Sequence, residues 1–186
     1  MEISSTLTQK IYVDFYMFMQ KKNIKTFKIC GGVILGFALL ITLLVFVGNS
    51  STAEIVEDLE IQIPLFAIFV ALGLFMIFGY KPLLLRVATR TYALNSFVAS
   101  EPIATYQFND NNFQMLTTSK LGIEDCTYSY EIINRIIESD TYIFIFIATN
   151  QAFIITKSED LDLNKKIIEL LKTKTENKYT ECICKK

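Results

Sequence analysis

Apolar residues gather in two uninterrupted runs early in the chain and in short alternating segments later, and the two regimes predict different structures. Ile29 to Val47 and Ile61 to Tyr80 contain no charged side chain. At ~1.5 Å per residue, each run matches the ~30 Å hydrocarbon thickness of a bilayer and predicts a spanning helix. Residues 48–60 between them carry only acidic charges, Glu54, Glu57, Asp58 and Glu60, and read as an external loop. Lys21, Lys22, Lys25 and Lys28 precede the first run, while Lys81, Arg86 and Arg90 follow the second. Positive residues favour the cytoplasmic side, so the pattern predicts a multi-pass plasma-membrane protein with both termini cytoplasmic.

Residues 1–28 predict a short strand near Glu2–Leu7, then a helix from Gln9 to about Gln20 with Thr8 as its cap. Ile11, Tyr12, Val13, Phe15, Tyr16, Met17, Phe18 and Met19 leave Asp14 as the one polar residue between positions 11 and 19. A helix that apolar and too short to span is read as interfacial, with packing onto the cytoplasmic domain as the alternative. Within the predicted 29–80 hairpin, Gly32 with Gly36 and Ala67 with Ala71 place small residues at the four-residue spacing that allows close helix approach. They are read as packing within the hairpin, with homo-oligomerisation as the alternative. Pro64 falls in the first turn of the second run. Residues 81–100 predict a helical connector along the membrane surface. Lys21, Lys22, Lys25, Lys81, Arg86 and Arg90 are its candidate contacts with anionic lipid, although cytoplasmic position alone accounts for them.

From Pro102 the period changes to two. Ala104, Tyr106 and Phe108 alternate, Asn109 to Asn112 form a turn, and Phe113, Met115 and Thr117 alternate again, which predicts a hairpin. Further strands are expected at Cys126–Tyr130, Ile132–Glu138, Thr141–Ala148 and Gln151–Lys157. The Thr141–Ala148 strand is apolar on both faces and is therefore central. Leu163, Ile167, Leu170 and Leu171 form one stripe of a helix over Leu161–Lys172. The fold class read from this is an α+β membrane protein. A two-helix hairpin is followed by a small antiparallel, pleckstrin-homology-like β domain over 101–173, closed by a C-terminal helix, with a flexible tail over 174–186.

The order of a polar-aromatic N-terminal segment, two spans, the segment Phe108-Asn109-Asp110-Asn111-Asn112-Phe113, then Tyr130 to Glu138 and Phe153 to Lys157 resembles the YcxB-like bacterial membrane proteins. The resemblance implies a pleckstrin-homology-like cytoplasmic domain on a bacterial membrane hairpin and carries no established activity to any residue.

Composition narrows the chemistry further. Mean hydropathy is +0.37, and hydrophobic residues make up 52% against 20% charged; the two runs account for the excess. There is no histidine, which removes the commonest general base and zinc ligand. Gly122 is the only glycine after Gly79, so no glycine-rich phosphate loop exists. No ionisable group lies in either run, which disfavours charge transport. Cys182 and Cys184 are spaced unlike a Cys-x-x-Cys pair and are expected to be reduced in the cytoplasm. Asn49-Ser50-Ser51 matches a glycosylation sequon, but it abuts the predicted span and the resemblance is to bacterial proteins, so it is discounted. The sequence therefore names no catalytic residue, no metal ligand, no cofactor and no nucleic-acid site. The expected function is a membrane-tethered cytoplasmic protein- or lipid-interaction module, partnered by the bilayer and by an unidentified cytoplasmic or membrane protein. The alternatives are an enzyme or enzyme subunit and an oligomeric transport or pore accessory.

Overall fold

A five-residue strand at the start of the chain, β1 (Glu2–Thr6), pairs antiparallel with β2 (Ile103–Phe108), with Ile3 opposite Tyr106 and Thr6 opposite Ile103. The computed structural model describes residues 1–48, 52–175 and 178–181. β1 thereby draws the N-terminus into a unit made of Met1–Phe15 and Arg90–Lys186; a second unit holds Tyr16–Thr89. The β unit thus begins well before the expected boundary at 101.

Its first sheet runs β1-β2-β3-β4, with β3 at Asn112–Ser119 and β4 at Gly122–Ser129, all antiparallel. The second runs β7-β6-β5-β8, from β5 (Arg135–Glu138), β6 (Tyr142–Phe146), β7 (Ala152–Thr156) and β8 (Tyr179–Glu181). β8 lies parallel to β5, so the fully antiparallel expectation fails at that edge, within residues read as a flexible tail. Ser5 links the sheets: its hydroxyl accepts from the Thr156 amide at 3.2 Å and shares a hydrogen bond with the Thr156 hydroxyl at 3.0 Å.

β6 is an interior strand, as its two apolar faces require. Ile143 and Ile145 enter the main core with Phe113, Ile136, Ile155, Ile167 and Leu171. Phe144 and Phe146 face the other way and meet Phe15 with ring centroids at 5.5 and 6.1 Å. Phe15 belongs to α1 (Gln9–Gly48), and the neighbouring Asp14 accepts a 3.1 Å hydrogen bond from the Tyr142 hydroxyl. The start of α1, up to Phe15, thus packs on the sheet, as the alternative reading of this helix had it. α5 (Leu161–Thr175) contributes Ile167 and Leu171 to the opposite face of the core. The Asp160 carboxylate accepts from the Asp162 and Leu163 amides and caps its start.

α1 is one helix of 40 residues rather than a short helix followed by a span. No glycine or proline lies between Gln9 and Cys30, and lysine is a good helix former, so the Lys21–Lys28 cluster changes polarity without breaking the backbone. α2 (Thr52–Leu74) continues through a π-helical turn, Phe75–Gly79, into α3 (Tyr80–Leu94), followed by the short α4 (Ser96–Ala99). The acidic stretch read as loop is therefore helical from Thr52, and Pro64 lies inside α2 rather than in a first turn. Asn49, Ser50 and Ser51 lie outside the described residues, as do Cys182 and Cys184.

Within the Tyr16–Thr89 unit, the close helix approach is made by Gly31 and Gly73. A β-carbon on Gly31 would stand 2.8 Å from the Gly73 carbonyl oxygen and 2.8 Å from Ile77; one on Gly73 would stand 2.7 Å from Leu35. Gly32 and Gly36 have nothing within 4 Å of such a carbon, and they lie exposed, as do Ala67 and Ala71. The expected packing through those four residues is corrected: the spacing was present on α1, but the contact uses the neighbouring glycine and a different face.

Two outcomes follow. Ile3→Asp puts an unpaired charge into the core and weakens the cover over β2, at a cost of about 3–5 kcal/mol; trypsin should then cleave after Lys120 readily, and unchanged resistance would refute the role of β1. Gly31→Ala should destabilise helix pairing, read as faster exchange of amides along α1 and α2, whereas Gly32→Ala should leave those rates unchanged.

Candidate functional site

The first sheet presents its inward face in cross-strand rows. Phe108, Phe113 and Tyr128 form an aromatic row, with Phe108–Phe113 centroids at 6.0 Å and Phe113–Tyr128 at 5.3 Å. The next row is Ile3, Tyr106, Met115 and Cys126. After it comes Ser5, Ala104, Thr117 and Glu124, where an inward position predicts apolar residues and three of four are polar. The last row, with Tyr106 and Met115 of the row before it, Phe97, and Phe153 and Ile154 of β7, lines a cleft of about 220 Å³.

Tyr106 is 3% exposed and Thr117 5%. Tyr106 stands edge-on to Phe153 at 6.3 Å, and burial, followed by the nearby Tyr128, pushes its phenol well above the usual tyrosine range. Neither hydroxyl makes a hydrogen bond among the described residues, where no fully enclosed side-chain polar atom lacks a partner, so both oxygens reach the open space of the cleft. Glu124 is exposed at the rim and has no cationic partner among the described residues. By contrast, the Tyr130 hydroxyl in the core donates to the Asn109 carbonyl at 2.8 Å, and its phenol is pushed up to about 12 by burial and by Asp110.

A second polar cluster closes the β8 edge. The Lys157 ammonium donates to Glu138 Oε1 at 2.7 Å, the Tyr179 hydroxyl donates to Glu138 Oε2, and Lys172 stands 4.5 Å over the Tyr179 ring. Burial raises the Glu138 pKa, but the hydrogen bonds from Lys157 and Tyr179 and the charges of Lys157 and Lys172 outweigh it, leaving the group below its ordinary value of 4.5. All four side chains are engaged with one another, which identifies a clasp for β8 and leaves little to offer a ligand. Among the described residues no group of three or more His, Cys, Asp or Glu is arranged to hold a metal.

The basic residues singled out in the sequence lie on the helices. Lys21, Lys22, Lys25 and Lys28 are exposed on α1; Lys81, Arg86 and Arg90 are exposed on α3. Phe27 stacks on Tyr80 at 4.0 Å with ring planes 3° apart, which brings Lys25, Lys28 and Lys81 to one level of the helical unit. The cleft residues Tyr106, Thr117 and Glu124 were not found by sequence reasoning. One signal was available: Glu124 shares the parity of the inward Cys126 and Tyr128, so a charge sat on the apolar side of a strand.

Residues 108–171 match the family model described as YcxB-like protein. Over this segment the chain is similar to that family. The segment runs from the last residue of β2 into α5 and takes in Thr117 and Glu124, but neither β1 nor the apolar helices. No curated protein matches the chain, and no solved structure matches it.

The clasp has a pH signature. A carboxylate whose pKa is lowered on folding stabilises the fold above its unfolded value and loses that contribution as pH falls through the folded value. The melting temperature of the parent should therefore exceed that of Glu138→Gln fully at pH 6, and the gap should begin to close below about pH 4.5. A gap constant from pH 6 to pH 3 would show that the carboxylate charge does not hold β8.

Proposed function

We propose that the protein is a two-span plasma-membrane protein whose β unit is a pleckstrin-homology-like, noncatalytic binding module held at the cytoplasmic face. The observation that carries the reading is the bareness of its apolar helices. Gln9–Leu44 and Ile63–Leu94 are each long and apolar enough to cross a bilayer, and only 11% and 6% of their most apolar windows are buried. A core helix of a soluble protein covers such a surface with protein; here lipid supplies the cover. The stacked Phe27–Tyr80 pair beside Lys25, Lys28 and Lys81 has the composition of an interfacial belt, with rings at headgroup depth and cations on the cytoplasmic side.

The pleckstrin-homology-like reading rests on a four-strand antiparallel sheet, a second antiparallel set β5-β6-β7 and a helix that follows them and caps the core. Function as a binding module rests on the open cleft and on tethering, which confines the β unit to the membrane surface and raises its effective concentration toward lipid headgroups and membrane-bound protein partners.

Labelling of intact cells tests this reading. With the four native cysteines replaced by serine, Ser51→Cys should react with an impermeant maleimide from outside, and Lys120→Cys should react only after permeabilisation. Labelling of Lys120→Cys in intact cells, or recovery of the chain in the soluble fraction, overturns it.

A further inference from the structure

The Ser5-Ala104-Thr117-Glu124 row and the cleft beneath it are unexplained by folding alone. Two hydroxyls that make no hydrogen bond among the described residues, on Tyr106 and Thr117, open onto one cleft, where a ligand's donors can reach them. Thr117 and Glu124 are directly opposite on β3 and β4, which brings their β-carbons to about 4.5–5.5 Å. An inward charge also guards an edge strand against strand addition, but guarding requires no cavity beside the charge. An engineered apolar cavity of about 150 Å³ takes up benzene, so about 220 Å³ accommodates a single ring or a short alkyl chain.

We propose that this cleft binds a small apolar primary ammonium compound. Its body lies among Phe97, Met115, Phe153 and Ile154, and its three N–H groups are taken by the Glu124 carboxylate and the hydroxyl oxygens of Thr117 and Tyr106. Charge complementarity selects the head group, since among the described residues Glu124 is the only charged one lining the cleft. Aromatic walls favour a cation further through their ring faces. The inference builds on the reading of the β unit as a binding module and names what that module takes.

The test uses the full chain in nanodiscs of zwitterionic phosphatidylcholine, labelled with ¹³C at the methionine methyl groups. Met115 reports on the cleft, while Met76, within the second apolar run, reports on amine that merely enters lipid. On titration with 2-phenylethylammonium, the Met115 methyl should shift saturably with that of Met76 unchanged. 2-Phenylethanol should bind about tenfold more weakly, and phenylacetate should produce no saturable shift. Glu124→Gln should bring the ammonium to the affinity of the alcohol while leaving the alcohol's own affinity unchanged, a separation that mere loss of folding does not give. The proposal is overturned by any of three results: no saturable shift at Met115, equal binding of phenylacetate, or undiminished ammonium binding by Glu124→Gln. Cysteine labelling reads membrane tethering separately, so a failed titration and a failed tether are told apart.

Discussion

The pairing of β1 with β2 is the constraint on which the rest of the architecture hangs. Five residues at the start of the chain are held beside residues 103–107, the Met1 ammonium donates to the Phe108 carbonyl at 3.0 Å, and the Leu7 amide donates to the Pro102 carbonyl at 2.9 Å. Whatever lies between must leave and return at one point. For a flexible connection of about a hundred residues, closure costs about 4 kcal/mol, comparable with the total stability of a small domain. Antiparallel helices in contact avoid most of that cost, because the Gly31–Gly73 approach and the Phe27–Tyr80 stack already bring the outgoing and returning chain together.

What the sequence made legible follows from which interactions are local. Two charge-free runs declare long apolar helices without reference to any partner, period-two alternation declares β2 and β3, and a short run apolar on both faces declares β6, each close to where it forms. β1 was recognised as a strand, but its role depends on a partner about a hundred residues away, and Glu-Ile-Ser-Ser-Thr carries nothing that specifies one. β8 is shorter still, and Tyr-Thr-Glu acquires meaning only when Glu138 and Lys172 are placed around it.

The errors share a physical origin. Lys21 to Lys28 mark a change of polarity and were read as a change of structure, although a helix runs through such a change freely when no proline or glycine intervenes. Gly32 and Gly36 satisfied a spacing rule, yet spacing fixes only that two residues share a face and never which face meets the partner. Gly31 lies on the face turned toward α2, and an isolated position has no period to announce it. Glu60 and Pro64 show the converse: residues that favour a loop or a helix start occur inside α2, where tertiary context overrides local preference.

The cleft belongs to a third category, in which the signal was present but its meaning required the register. A carboxylate at Glu124 and a hydroxyl at Thr117 are unremarked singly, since exposed strands carry many such residues. Only when β3 is laid against β4 do they become neighbours on the inward face, and only when β2 is added does the Tyr106 hydroxyl join them beside open space. A core made for stability alone would continue the aromatic row of Phe108, Phe113 and Tyr128 outward with apolar side chains, because each filled methylene adds ~0.8 kcal/mol. Polar atoms and empty volume at that end forgo the gain, and groups that forgo stability together in one place are where binding is to be sought.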